Sequence, residues 1–449
     1  MISSVFCPKA WNHIATVSSG DLRPCCDMSV GPESMLKDEA GRYFNVRTDS
    51  LEAIRNAPLS VELRATILKG ERHPFCQPCW SREDRGMVSA RQHLGQTFSH
   101  VFDKALAKRN ARIESRDFPV EYWDLRLGNL CNLKCRSCSP TESSLWLNDW
   151  ARDKVASGRA KEDLQLKYYG RSLKVVNVGP EQWKVADDLL DWENSEAFFA
   201  GFMAQAKDLK RIYFTGGEPL INRQHWRLIE QLIEGGYAKN IHLQYNSNIL
   251  QLPDDKIELW RHFDGVHVSC SIDGLGPYAE YIRQPTKWSV LRNNIEKLDA
   301  LGEHVIATWN PTVSVFNIGH LPEMSLWVLR QGLRKINPVM WLNILHGPKH
   351  LSCQILPISS KRRLVEKYDR VSGIVEKEFG QSTADLLRRH YAPMLKFLFE
   401  VDASAQIPDF IELNDRLDRI QGRYWQEELP ELSCLIRGIP LESTDGLRP

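Results

Sequence analysis

Short apolar runs and helical periodicities alternate through the middle of the chain. Residues 122–127, 211–214, 241–245, 266–272, 305–313 and 339–345 are rich in aromatic and branched residues and predict strands. Segments with helical spacing, such as 225–235 and 289–301, fall between them. This alternation predicts a parallel α/β sheet. Pro311 has no N–H for a ladder and predicts a bulge or strand end late in the fifth run. Several runs finish in polar or glycine-rich residues: Thr215-Gly216-Gly217-Glu218-Pro219, Asn246-Ser247-Asn248 and Asp273-Gly274. A parallel α/β barrel carries its active site at those strand ends.

About seventy residues separate Cys138 from the second run, too many for one crossover helix. Trp146, Trp150, Trp183 and Trp192 punctuate this stretch. It predicts a helical insertion over about 141–205, with tryptophans that pack rather than bind. Residues 98–112 have helical spacing, and the charged stretch 112–119 ends in a proline, so a domain boundary is placed near 118. After residue 350 the pattern turns charged and helical, with amphipathic segments at 361–379, 383–399 and 410–424. Pro393 should kink or split the second of these. The basic clusters 361–363 and 388–390 read as solvated helix faces rather than phosphate sites.

The chain's 449 residues allow two or three domains, and its 58 basic and 57 acidic residues nearly cancel. Non-specific, phosphate-driven binding is therefore not its main activity, though a local basic groove remains open. The first residues lack the basic-then-apolar pattern of a signal peptide, and no run approaches a membrane span. A cytoplasmic protein without membrane contact is expected.

Cysteine distribution changes the picture. Eight of the eleven cysteines lie before residue 139. In a reducing compartment, clustering points to metal rather than disulfides. Cys131, Cys135 and Cys138 form a C-x3-C-x2-C run just after the first predicted strand. Three thiolates on one loop can hold three irons of a 4Fe–4S cluster, leaving the fourth iron open. An open position is the mark of a catalytic metal site. Cys7, Cys25, Cys76 and Cys79 offer a second four-thiolate set, with Cys26 as a possible replacement for Cys25 or a spectator. Structural zinc suits that set as well as a second iron–sulfur cluster does. Cys270 sits in an apolar run and reads as core, and Cys353 and Cys434 have no assigned role.

The three-cysteine loop, followed by Gly216-Gly217-Glu218-Pro219 at the next strand end, resembles the radical S-adenosylmethionine (radical SAM) superfamily. Ser271-Ile272-Asp273-Gly274 and Tyr281-Ile282-Arg283 fit as well. The resemblance covers about 121–345. It implies a partial (β/α)6 radical SAM barrel over 119–350, an N-terminal cysteine-rich domain over 1–118 and a C-terminal helical extension over 351–449. It also implies a 4Fe–4S cluster on Cys131, Cys135 and Cys138, with S-adenosylmethionine on the open iron and a 5′-deoxyadenosyl radical as the reactive species. Gly216, Gly217 and Glu218 would line the methionyl amino group. Asn246, Ser247 and Asn248 would lie near the ribose, and Ser271, Asp273 and Arg283 on the carboxylate and ribose side. Asp273-Gly274 also reads as an ordinary turn. One departure is Ser137, where the superfamily often has a bulky residue against the adenine.

Cys7, Gly20 and Cys25 are spaced like the opening element of SPASM/twitch auxiliary-cluster domains, which usually follow the barrel. Here the element precedes it. The resemblance thus implies a permuted twitch arrangement with a second cluster on Cys7, Cys25, Cys76 and Cys79. It also implies a flavodoxin- or ferredoxin-type electron donor.

Three functions follow. Resemblance to phage-type radical SAM proteins favours isomerisation or modification of an amino-acid-bearing thymine base in DNA. A maturase acting on a precursor peptide is the alternative, although no leader-binding pattern precedes Cys7. A non-enzymatic iron–sulfur or zinc scaffold is the third. Retention of both the cysteine run and the Gly-Gly-Glu-Pro motif speaks against it.

Overall fold

The computed structural model describes residues 2–86, 88–107 and 117–440. In chain order the strands are β1 (His13–Thr16), β2 (Leu22–Arg23), β3 (Tyr122–Arg126), β4 (Lys134–Cys135), β5 (Gln165–Tyr168), β6 (Arg171–Gly179), β7 (Gln182–Val185), β8 (Arg211–Thr215), β9 (His242–Ser247), β10 (Gly265–Cys270), β11 (Arg283–Gln284), β12 (Val305–Trp309), β13 (Thr312–Val313) and β14 (Asn343–Ile344).

A seven-stranded sheet runs β12-β10-β9-β8-β3-β1-β2. All its neighbours are parallel except β2, which turns back antiparallel on β1. Five of the six predicted strands lie in it. Residues 339–345 do not. Trp341, Asn343 and Leu345 donate backbone N–H bonds to the carbonyls of Trp309, Pro311 and Val313. Pro311 has no N–H to return, and regular pairing shrinks to β13 on β14. The sixth parallel strand is instead β1, so the sheet crosses the boundary expected near 118.

Strand alternation gives the sheet two chemically different faces. Trp123, Leu125, Ile212, Phe214, Leu243, Tyr245, Val266, Val268, Val305 and Ala307 all point into the main core. Helices Glu196–Met203, Arg223–Glu234, Trp288–Asp299 and Leu321–Gln331 pack there through residues such as Phe202, Ile229, Ile295 and Leu326. The opposite face carries Tyr122, Asp124, Arg126, Tyr213, Gln244 and His267. Tyr122 and Tyr213 join a second core built from Trp11, Trp80, Phe98 and Phe118, so the N-terminal segment covers part of that polar face.

The insertion is less helical than expected. Helix Trp146–Ala156 and helix Glu196–Met203 bracket an antiparallel sheet of β5, β6 and β7. Tyr169 and Gly170, with φ of 45° and 84°, form the two-residue turn joining β5 to β6. Alternating burial along Gln165–Tyr168 is the strand signature that the tryptophan count obscured.

Helix Ser99–Ala107 occupies part of the predicted segment 98–112, whose end lies outside the described residues. Helices Ile358–Phe379, Gln381–Glu400 and Ile407–Gln421 form the C-terminal layer. Pro393 lies inside the second and does not split it. No described helix is long and apolar enough to cross a membrane.

Candidate active site

The loop after β3 carries Cys131, Cys135 and Cys138, all partly buried. Cys135 lies in β4, which pairs antiparallel with β11, placing Arg283 opposite it. The Arg283 guanidinium donates to Cys135 Sγ at 3.6 Å. Its Nε lies 2.8 Å from Asp273 Oδ2, a charge contact without hydrogen-bond alignment. Burial opposes the charge on Arg283, but Asp273 and Cys135 outweigh it and hold the group firmly cationic. Asp273 is itself fixed by Thr312 N–H at 2.7 Å, so it is more than a turn residue.

The Gly-Gly-Glu-Pro turn touches the same loop. Glu218 N–H donates to Leu130 O at 2.8 Å. A Cβ on Gly217, at φ +53°, would stand 2.1 Å from that same carbonyl oxygen. One on Gly216 would meet Arg126 Cβ at 2.7 Å. In this structure the glycines let two loops touch. Glu218 ties the strand ends together: its carboxylate accepts from Leu220 N–H at 3.1 Å, Ser247 Oγ at 2.8 Å and Asn248 N–H at 2.7 Å. Burial pushes its pKa up to about 6 against those bonds. Asn248 then reaches the cysteine loop through Asn132, Nδ2 to Oδ1, at 2.8 Å.

Glu218, Asn248 and Arg283 from three predicted motifs therefore meet the cysteine loop, but not every predicted side chain does. Ser271 joins through its backbone, donating to Ser247 O at 2.8 Å. Asn246 lies within β9, opposite Ser269 on the polar face. Two contributors went unread in the sequence. Asn132 is one, and Trp146 is the other, donating Nε1–H to Cys135 O at 2.8 Å.

Burial pushes the Cys131 thiol up to about 12 and raises Cys135 and Cys138 too. Thiolates here need a cation beside them, as Arg283 or a metal centre would supply. No three of these sulfurs gather within 4.8 Å; among the described residues only Cys25, Cys26 and Asp27 do so. A single zinc with 2.3 Å bonds draws its thiolates to about 3.8 Å of one another. The donor set fits a multi-iron cluster better than one ion.

Cys7, Cys25, Cys76 and Cys79 line one cavity, with Val5, Ile67 and Trp80. Burial pushes Cys7 and Cys76 up to about 12. Cys26 does not line this cavity, although its sulfur lies within 4.8 Å of Cys25 Sγ. Its sulfur receives a hydrogen bond from buried Lys9 Nζ at 3.2 Å, and Lys9 also pairs with Asp27 at 2.7 Å.

Between these two groups lies the polar sheet face. Asp124, Tyr213, Gln244 and His267 stand level on adjacent strands. Asp124 is fully buried, and neither carboxylate oxygen has a hydrogen-bond partner. Burial raises its pKa, opposed by Arg126 and Lys9. Burial lowers His267 to about 4, so it is a neutral donor–acceptor. A charged residue amid an apolar run was the one sequence sign of this row.

Residues 125–321 match the family model described as Radical SAM superfamily. The chain is similar to this superfamily over that stretch. Among curated proteins, GTP 3′,8-cyclase of Rhizobium meliloti (strain 1021) is 28% identical over 185 residues. The enzyme of the same name from Sinorhizobium medicae (strain WSM419) is 30% identical over 185 residues. Each alignment covers 40% of this chain, which spans 50% of the length of either relative. Among solved structures, Streptococcus suis SuiB bound to precursor peptide SuiA aligns with TM-score 0.32 and 13% identity, covering 81% of this chain and 70% of that one. Native anSMEcpe with bound AdoMet aligns with TM-score 0.29 and 12% identity, covering 48% and 50%. The stretch that matches the family model begins in β3 and takes in the cysteine loop, Glu218, Asn248, Asp273 and Arg283.

Proposed function

We propose that this chain is a radical SAM enzyme that takes hydrogen from an amino-acid-type C–H of a larger substrate. The favoured substrate is an amino-acid-bearing thymine base in DNA. The observation that carries the enzyme reading is the convergence of Leu130, Asn132 and Cys135 with Glu218, Asn248 and Arg283 on one loop. A 4Fe–4S cluster on Cys131, Cys135 and Cys138, with S-adenosylmethionine bound, would supply a carbon-centred radical. Around it, Arg283 balances thiolate charge. Glu218 holds Ser247 and Asn248 in place and offers buried negative charge to an amino group. Asn246 and Ser271 stand on the strand-end side where a ribose would be held.

The four cysteines of the N-terminal cavity are read as ligands of a second cluster, with Cys26 as a non-ligand. The likeness of Cys7, Gly20 and Cys25 to the opening element of auxiliary-cluster domains, beside a three-cysteine loop, supports iron–sulfur over zinc. Reduction of either centre calls for a flavodoxin- or ferredoxin-type donor.

The level row Asp124, Tyr213, Gln244 and His267 fits a planar polar group with several donors and acceptors, as a nucleobase has. The curated relatives are named for acting on GTP, a base-bearing substrate, and this supports a base over a peptide.

The test is anaerobic reconstitution with iron and sulfide, then an iron count and a 5′-deoxyadenosine assay under strong reductant. About eight irons per chain supports two clusters; about four, with bound zinc, sinks the second. No 5′-deoxyadenosine from a fully loaded protein sinks the enzyme reading. Side-chain-deuterated glycyl-thymine oligonucleotide should pass deuterium to 5′-deoxyadenosine; transfer from a peptide instead would overturn the base reading.

A further inference from the structure

We propose that the C-terminal helix Ile407–Gln421 is a positioning element for the cysteine loop, acting through Arg136 and Asp418. Neither Asp418 nor Gln421 lies in the stretch that matches the family model. The inference rests on the reading of residues 131–138 as the cluster loop.

Arg136 stands between the second and third cysteines. Its side chain is 1% exposed and pairs with Asp418, itself 2% exposed, at the far end of the fold in sequence. The same Nη2 donates to Gln421 Oε1 at 3.0 Å. The guanidinium lies over the Tyr281 ring at 4.4 Å. Asp418 is over-determined in turn, accepting from Tyr281 Oη at 2.9 Å and Trp425 N–H at 2.7 Å. Arg136 Nε and Nη1 have no hydrogen-bond partner, so the ion pair, the Gln421 bond and the ring are what hold this cation.

The other neighbour of Cys135 is anchored to the same helix. Lys134 Nζ pairs with Asp149 Oδ2 at 2.5 Å, and Gln421 Nε2 donates to that oxygen at 2.9 Å. Gln421 thus joins the residues on both sides of Cys135. A buried cation whose partner is removed must be rehydrated or displaced. Arg136 shares its backbone with the segment between Cys135 and Cys138, so displacing its side chain strains the loop that carries them. The helix therefore sets where these two sulfurs stand and how much positive charge faces them.

Three variants test this: Asp418→Asn, the neutral double Arg136→Gln/Asp418→Asn, and Gln421→Leu, which leaves the ion pair intact. In the metal-free chain, amide hydrogen exchange over 131–139 should quicken about 10-fold in Asp418→Asn and return toward wild type in the double. After reconstitution, the uncompensated cation in Asp418→Asn should raise the cluster's midpoint potential, because positive charge favours the reduced state; the double should restore it. Gln421→Leu should quicken exchange without moving the potential. If Asp418→Asn fails to fold, Gln421→Leu still decides through the exchange of 131–139. Unchanged exchange and potential in the variants would show that the helix only packs. A wild-type protein that binds no iron would sink the cluster reading instead, and the metal-free exchange data would still judge the coupling.

Discussion

Gly217→Ala isolates the contact between the two loops. An added Cβ would stand 2.1 Å from Leu130 O and 2.8 Å from its carbonyl carbon. Ordinary C···O contacts begin near 3.3 Å, so one backbone must retreat by roughly 1.2 Å. Leu130 immediately precedes Cys131, and the retreat is passed to the first thiolate. The left-handed φ of +53° adds about 1–2 kcal/mol, and overpacking adds about 1–3 kcal/mol. Unfolding entropy of about 2.1 cal/mol/K per residue over 449 residues is about 0.9 kcal/mol/K. A loss near 4 kcal/mol then lowers Tm by only about 4 °C. S-adenosylmethionine cleavage should suffer far more, because a 1 Å misplacement costs about 100-fold. The control is Gly236→Ala. Its φ is +74°, but nothing lies within 4 Å of the added Cβ. It should show the backbone penalty alone and cleave at the wild-type rate. The assay pairs a melt of the metal-free chain with chromatographic counting of 5′-deoxyadenosine. Equal cleavage in the two variants would refute the loop-contact argument.

Glu218, raised to about 6 by burial, predicts that S-adenosylmethionine binds less tightly as pH falls through about 6. Glu218→Gln should remove that step in a binding titration. For stability the sign is opposite. The folded chain keeps a proton that the unfolded chain has lost between 4.5 and about 6, so the group costs stability as pH rises through that window. Cys25→Ser should lower the reconstituted iron count by about four, while Cys26→Ser should leave it unchanged; the reverse would exchange their roles. Trp146→Phe removes the donor to Cys135 O and should cost about 1 kcal/mol in a denaturant melt, with slower cleavage.

The sheet was legible where apolar runs were long enough to show their period. Five strands and their polar ends could be read because alternation and glycine-rich termini are local signals. The strand at 339–345 misled, because an apolar run does not reveal that its neighbour lacks an N–H at Pro311. β1 was missed because four residues carry little periodicity and their partner lies in β3. The site's cysteines and Glu218 were readable by type and spacing. Trp146 was read as packing, and its bond to Cys135 O depends on how an inserted helix docks. The Arg136–Asp418 pair, 282 residues apart, leaves no sequence trace beyond two ordinary charges.

β1 also governs how the chain can be cut. Its partner strand is made 109 residues later, as the Asn12–Glu121 bond at its foot shows. During synthesis β1 can pair with β2 at once, but its other edge must wait for β3 while the intervening residues emerge, which makes this a late, non-local closure. A fragment starting at residue 119 would be no freestanding catalytic half. It would expose the β3 backbone as a bare edge, open to pairing with another chain. Co-expressing the two pieces, rather than discarding the first, is the way to ask what the N-terminal segment contributes.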